Sequence, residues 1–264
     1  MNSNELRDYY IAYFDILGYK SFFDDKENDV FEFLDNVINV CNETLHKTGF
    51  NEQALQTKFK VKSFSDNFII MLEANENSSD YMVLKMYSRI LSQLQIHFLE
   101  KYQILIRGGI TKGKAYIDEN IVFGNGLIRA VALESTAIFP RIIIDRECFG
   151  EQICVNLCEM NSCLAKDEDD EFYVDYFCVD CLNSNSKRID VIRKNVIRLV
   201  RKHGKYRRDI KDPKKIFEAE KTISKYAWLL CKFNKKCIED YKVTEIPYRL
   251  VFYYRTMKTE IQIL

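Results

Sequence analysis

The sequence carries no excess of charge of either sign: 39 lysines and arginines balance 39 aspartates and glutamates over 264 residues. There is no global basic field to grip long nucleic acid, which is therefore not the expected partner; a small anion in a local pocket is compatible with the balance. Long apolar runs are missing too. None approaches the roughly 18 residues needed to span a bilayer, so no membrane association is expected. The first residues, Met1 to Tyr10, are polar and lack the apolar core of a signal peptide. With nine cysteines and no export signal, the chain reads as a cytoplasmic protein with reduced thiols. Internal repeats and low-complexity tracts are absent as well, which excludes solenoids and arrays.

Material for a core is plentiful: 47% of residues are hydrophobic and 13% aromatic, and the length suits one core with an extension. Tyr9 to Phe14 predict a buried strand, broken after Asp15 by a turn at Gly18. From about Asp29 to Lys47, Phe31, Phe33, Leu34, Val37, Ile38, Cys41 and Leu45 recur at helical spacing. Lys58 to Phe64 and Phe68 to Leu72, joined by Ser65-Asp66-Asn67, predict a hairpin with Asp66 at its tip. A helix to about Glu100 follows a polar loop, then strands at Ile104 to Ile110 and Ala115 to Ile117 separated at Lys112-Gly113-Lys114. A helix from Leu127 to Thr136 and a strand through Pro140 and Arg141 close this series. Beyond Asp145 the pattern predicts a strand at Phe172 to Phe177, helices near Ile189 to His203 and Pro213 to Glu239, and a strand at Tyr248 to Tyr254. The basic stretch from Arg201 to Lys215 reads as a solvated face and linker, with contact to a triphosphate, a nucleic acid or a partner as the alternative.

The sum is an α+β fold, a ferredoxin-like or palm-type antiparallel sheet with helices on one face over residues 1–145. Residues 146–264 are expected as a helical and strand extension packed on the same core or on a dimer partner.

Two carboxylates stand out because they sit at strand ends inside apolar sequence, where a charge is costly unless paired, protonated or bound to metal. Taken singly, Asp15 reads as a turn or helix-capping residue and Asp66 as an ordinary turn residue. Together on adjacent strands they would make a hard-cation site suited to Mg2+ or Mn2+ and a nucleoside triphosphate. The cysteines Cys154, Cys158, Cys163, Cys178 and Cys181 include one CxxC, but it begins inside an apparent strand and its partners are irregularly spaced. Scattered core or surface thiols, and not a zinc site, are the expected reading.

In order along the chain, four segments resemble the catalytic domain of class III nucleotidyl cyclases. Phe14, Asp15, Ile16, Gly18 and Tyr19 match its first metal-aspartate strand, and Lys62 to Asp66 its K-[ST]-x-G-D hairpin. Arg107 to Gly113 match R-x-G-I-x-x-G, and Gly124 to Ser135 match the turn and helix that follow. The pattern looks more like divergent bacterial cyclases, including the pyrimidine cyclases of phage defence, than like hormone-receptor cyclases. The resemblance implies Asp15 and Asp66 as ligands of two Mg2+ or Mn2+ ions, with Ile16, Gly18 and Lys62 binding substrate. It also implies a homodimer with shared sites. The family's asparagine and arginine on the last helix fall here on Ile128 and Ala132, and its second base reader on Ile121. Arg129 and Arg141 are the arginines expected to replace the missing one. The activity implied is conversion of a nucleoside triphosphate, UTP or CTP among the candidates, to a 3′,5′-cyclic nucleotide and pyrophosphate, as a signal in bacterial antiviral defence. Two alternatives are a catalytically inactive nucleotide sensor or scaffold and a palm-fold nucleotidyltransferase making oligonucleotides.

Overall fold

The computed structural model describes residues 5–18, 59–76, 78–160, 162–182, 185–204, 212–253 and 258–264, with six single positions between Glu32 and Glu43. Those six (Glu32, Asp35, Asn36, Asn39, Val40 and Glu43) are helical, while the apolar positions of the helix expected there lie outside the described residues. The chain divides into two compact units, residues 1–97 with 104–181 and residues 98–103 with 182–264.

The first unit is built on one eight-stranded sheet. Strand β1 (Arg7–Leu17) is central because both its faces are covered: Tyr9 to Phe14 are all buried, the pattern of a strand with no solvent side. On one side it pairs antiparallel with β3 (Asn67–Glu73), which pairs with β2 (Phe59–Phe64) through the two-residue turn Ser65-Asp66. On the other it pairs antiparallel with β4 (Leu105–Ile117) over eleven residues, Arg7↔Ala115 to Leu17↔Leu105. The short strand β5 (Val122–Phe123) folds back on β4. β4 also pairs in parallel with β6 (Ile142–Ile144), and the sheet continues through β8 (Phe172–Val174) to β7 (Leu164–Lys166). The order β2-β3-β1-β4 is that of a ferredoxin-like unit, so the α+β class is as expected. The strands β7 and β8 belong to the same sheet, beyond the boundary expected at residue 145.

Helices cover both faces instead of one. Helix α1 (Asp80–Lys101) lies on the face of Tyr10, with Asp80 accepting from the Tyr10 hydroxyl at 2.6 Å and from Lys112 Nζ at 2.9 Å. Helix α2 (Asn125–Thr136) lies on the opposite face, where Ala130 and Leu127 pack against Tyr9, Ile11, Tyr13, Ile69 and Met71. Small residues let α2 sit this close: a Cβ on Gly113 would meet the Gly126 Cα at 2.8 Å, a backbone-to-backbone contact with no side chain to move. The same contact explains why the turn expected at Lys112-Gly113-Lys114 is uninterrupted strand: Gly113 is there to admit the helix. Two short helices, α3 (Arg146–Phe149) and α4 (Glu151–Glu159), join β6 to β7, and α5 (Val179–Leu182) follows β8.

The second unit pairs helix α6 (Ser186–His203) with helix α7 (Pro213–Glu239) and a hairpin of β9 (Tyr248–Tyr253) and β10 (Lys258–Ile263). The start of α6 is capped by Asn185, whose side chain accepts from the Lys187 and Arg188 amides. Asp212 does the same for α7, with Pro213 in the first turn. Ile189, Ile192, Val196 and Val200 of α6 and Ile223, Leu230 and Phe233 of α7 are buried, as their helical spacing predicts, while Tyr226, in the same row, is half-buried. Residues 205–211 of the basic stretch and Tyr254 lie outside the described residues. Among the described residues no helix is long and apolar enough to cross a membrane.

Gly113→Ala tests the seating of α2. The added methyl is expected to cost about 1–3 kcal/mol, read as a shifted urea midpoint; an unchanged midpoint would mean that the helix does not depend on this approach.

Candidate active site

Strand register assembles the site. Asp15 stands opposite Asn67 of β3 and Arg107 of β4, and Asn67 stands opposite Phe64 of β2. Two residues along each strand, and so on the same face, is the row Lys62, Ile69, Tyr13 and Gly109. Asp66 is in the hairpin turn, and its carbonyl accepts the Ile16 amide at 3.0 Å. This bond fastens the tip of the β2–β3 hairpin to the end of β1 and makes the two aspartates neighbours. The Asp66 carboxylate accepts from Asn67 Nδ2 at 3.1 Å, and Asn67 Oδ1 accepts from the Tyr13 hydroxyl at 2.5 Å.

Asp15 is not alone. Arg107 donates to it from Nη2 at 2.9 Å and from Nε at 3.4 Å. The same guanidinium is in ion-pair contact with Glu134 of α2, although Glu134 Oε1 is not aligned with it for a hydrogen bond. All three side chains are largely withdrawn from solvent, at 18%, 20% and 11% exposure for Asp15, Arg107 and Glu134. Burial pushes the Glu134 carboxyl above its ordinary range, and the neighbouring Asp15 charge pushes it further. Burial works against the charged form of Arg107, but the hydrogen bond and charge of Asp15, with the charge of Glu134, outweigh it and raise its pKa. The Tyr13 phenol is pushed up by burial and then by Glu134, Asp15 and Asp66, so three carboxylates converge on it. Three carboxylates against one guanidinium leave this end of the sheet negative.

Asp15 and Asp66 offer hard oxygen donors of the kind Mg2+ and Mn2+ take, one or two carboxylates with phosphate oxygens completing the shell. Arg107 uses part of the acceptor capacity of Asp15, but a carboxylate has about four lone-pair sites, so the donor set fits. Among the described residues no further carboxylate, histidine or cysteine joins these two in a group of three ligands.

The other expected site residues are placed as follows. Ile16 is buried and its amide is used by Asp66. Gly18 is exposed at the end of β1 with φ +79°, a left-handed conformation that favours glycine. Lys62 donates from Nζ to the Glu119 carbonyl in the β4–β5 turn, on the Asp15 face. In that turn Ile121 is exposed and its amide donates to Asp118 Oδ1 at 2.7 Å. Arg129 pairs with Asp145, and with Glu147 at 2.6 Å, its side chain 41% exposed. Arg141 is 1% exposed, enclosed by Asp167 and Asp169, with its guanidinium near the Phe139 and Tyr173 rings. Asp15 and Asp66 therefore come together, Lys62 shares the sheet face but is bound to the Glu119 carbonyl, and both arginines are held by carboxylates of the fold. Ile128 and Ala132 point outward from α2 and are exposed. The residues that sequence reasoning did not place in the site are Arg107, Glu134, Tyr13 and Asn67. Arg107 and Glu134 lie in matched motifs, but only strand pairing and helix seating show that they meet Asp15.

No protein-family model and no curated protein matches the chain. Solved structures do. The chain is similar to class III nucleotidyl cyclase catalytic domains. The adenylyl cyclase CyaB from P. aeruginosa is 13% identical over 65% of this chain and 95% of its own, with a TM-score of 0.44. The catalytic core of a rhodopsin-guanylyl cyclase with converted specificity, in complex with ATPalphaS, is 17% identical over 53% and 76%, with a TM-score of 0.40. The adenylate/guanylate cyclase/hydrolase from Silicibacter pomeroyi is 17% identical over 64% and 95%, with a TM-score of 0.34. At such identities and scores the function has to be read from this chain's own residues.

The raised Glu134 pKa sets a pH dependence. The folded value lies above the ordinary 4.5, so the stability linked to its proton is complete below 4.5 and is lost as pH rises through the folded value. Glu134→Gln removes that titration and is expected to gain on the wild type as pH rises from about 4 to 8 in parallel urea melts. A stability difference that stays constant across this range would contradict the placement of Glu134.

Proposed function

We propose that the ends of β1 and the β2–β3 hairpin bind a nucleoside triphosphate with Mg2+ or Mn2+, and that the chain converts it to a 3′,5′-cyclic nucleotide and pyrophosphate. The observation that carries this reading is the pair of strand-end carboxylates, Asp15 and Asp66, joined by the Ile16-to-Asp66 hydrogen bond with Lys62 on the same face. When bound, the ions lower the pKa of the ribose hydroxyl and offset the charge that develops on the phosphate. The chain's own residues do the rest. Asp15 and Asp66 hold the ions, and Arg107 fixes the orientation of Asp15. The exposed Gly18 backbone leaves room for phosphate, and Lys62 exchanges the Glu119 carbonyl for a substrate oxygen.

A homodimer completes the proposed site. Ile128 and Val131 on the outer side of α2, with Ile121 and Phe123, form exposed apolar surface suited to a second copy. Arg129 is then the guanidinium brought to the other subunit's phosphate, because it is partly exposed on α2 whereas Arg141 is enclosed. The apolar Ile121, where the purine cyclases carry a polar base reader, favours a pyrimidine substrate, UTP or CTP. A cyclic pyrimidine nucleotide would serve as a signal in antiviral defence. A second reading, a nucleotide sensor without turnover, is favoured by the exposed Ile128 and Ala132, which supply neither amide nor guanidinium.

Purified protein incubated with each of the four ribonucleoside triphosphates and Mn2+ is expected to release a cyclic monophosphate, with a pyrimidine preferred. Asp66→Ala is expected to keep the dimer and lose about 100-fold or more of the rate, at least the loss seen for residues that only support a metal ligand. Equal rates in the two proteins would sink the assignment. A nucleotide-dependent rise in melting temperature without product would select the sensor reading, and products longer than one nucleotide a nucleotidyltransferase.

A further inference from the structure

Away from the nucleotide site, the first unit brings three thiols to one buried point. The Sγ atoms of Cys163, Cys178 and Cys181 all lie within 4.8 Å of one another. Cys178 is 2.7 Å from Cys163 and 3.3 Å from Cys181, and Cys181 is 3.0 Å from Ser92 Oγ on α1. The CxxC is not in a strand, since β8 ends at Val174; Cys178 lies just before α5 and Cys181 within it. Cys163 enters from the other side of the β7–β8 hairpin, and the Asp175 amide donating to its carbonyl at 3.0 Å draws the two segments together. Cys163 holds φ +61°, a left-handed conformation that a residue with a Cβ adopts at a cost. That strained backbone aims its thiol at the CxxC. The Ser162 carbonyl beside it is tied to α1 by the Ser88 hydroxyl at 2.9 Å.

Ordinary core packing does not explain three sulfurs in mutual contact. Cys154 and Cys158 show the ordinary case: they lie one turn apart on α4 and outside the cluster, with burial pushing their thiols up to about 12 and about 11. We propose that Cys163, Cys178 and Cys181 bind a structural zinc ion, with the Ser92 hydroxyl or a water as the fourth ligand. Zinc accepts thiolates at about 2.3 Å in a tetrahedron, which sets sulfurs about 3.8 Å apart, so binding asks the cluster to open by about 1 Å. Closure from solvent is the mark of structural zinc sites, and all three cysteines are buried. Bound there, the ion staples the β7–β8 hairpin to the CxxC segment, and to α1 where Ser92 is the fourth ligand, and its loading releases the thiol protons. Its role is to hold the sheet's far edge, apart from the nucleotide chemistry.

The test is metal content of the full chain, purified reduced and without chelator or metal-affinity resin. About one zinc per chain is expected by mass spectrometry, released by a mercurial reagent. The Cys178→Ser, Cys181→Ser double variant should lose it, while Cys154→Ser keeps it. Should the double variant not fold, Co2+ added to zinc-depleted wild type decides, with intense thiolate-to-metal charge-transfer absorption expected. Wild type that carries no zinc and shows no such absorption overturns the proposal. So does zinc retained by the double variant, or a Cys163–Cys178 disulfide found in protein isolated with thiols blocked. None of these readouts involves a nucleotide, so the result is independent of the proposed cyclase activity.

Discussion

Two carboxylates share one guanidinium where β1, β4 and α2 meet, and the arrangement of this half of the protein follows from that meeting. Arg107 reaches Asp15 because the two are opposite in an eleven-residue antiparallel pairing, and it reaches Glu134 because α2 lies close on the sheet. The close seating depends in turn on Gly113 and Gly126, where backbone faces backbone. Loss of Arg107 would leave both carboxylates uncompensated in a largely dry place, which is the costly outcome for such groups. Asp66 then joins the cluster through the backbone, by way of the Ile16 amide, so the hairpin tip cannot drift from the end of β1. The surplus of negative charge is what suits the place to cations, and Arg107 is what allows the surplus to be folded at all.

The arginines tell a different story from the aspartates. Arg129 holds Asp145, which is buried, accepts from Thr111 and precedes α3. The carboxyl of Asp145 is opposed by burial yet held below its ordinary range by Arg129 and Thr111. Arg141 is enclosed with Asp167 and Asp169 and ties the start of β6 to the β7–β8 turn. Both therefore act first as parts of the fold, and catalysis by Arg129 requires exchange of a carboxylate partner for phosphate.

Much of the fold was legible because its periods are strong. The run Tyr9 to Phe14, the Asp66 hairpin, α1, α2, α6 and α7 all appear where apolar spacing places them. What was not legible depends on contacts between distant segments. Lys112-Gly113-Lys114 looks like a turn until the helix across from Gly113 is known. Arg107 and Glu134 carry no local sign of Asp15, since their meeting is decided by strand order and by how α2 is seated. Irregular spacing hid the thiol cluster for the same reason: Cys163 and Cys178 are joined by the β7–β8 pairing, not by a short motif. The two aspartates were visible because each sits as a lone charge in apolar sequence, whereas Arg107, which pairs with Asp15, was not.

Manganese binding tests the central claim most directly. With a non-hydrolysable nucleoside triphosphate present, the wild type should bind Mn2+ as followed by electron paramagnetic resonance, and an Asp15→Asn, Asp66→Asn double variant with an unchanged fold should lose that binding. Equal Mn2+ binding by the two proteins would contradict the assignment of these strand ends as the metal-nucleotide site.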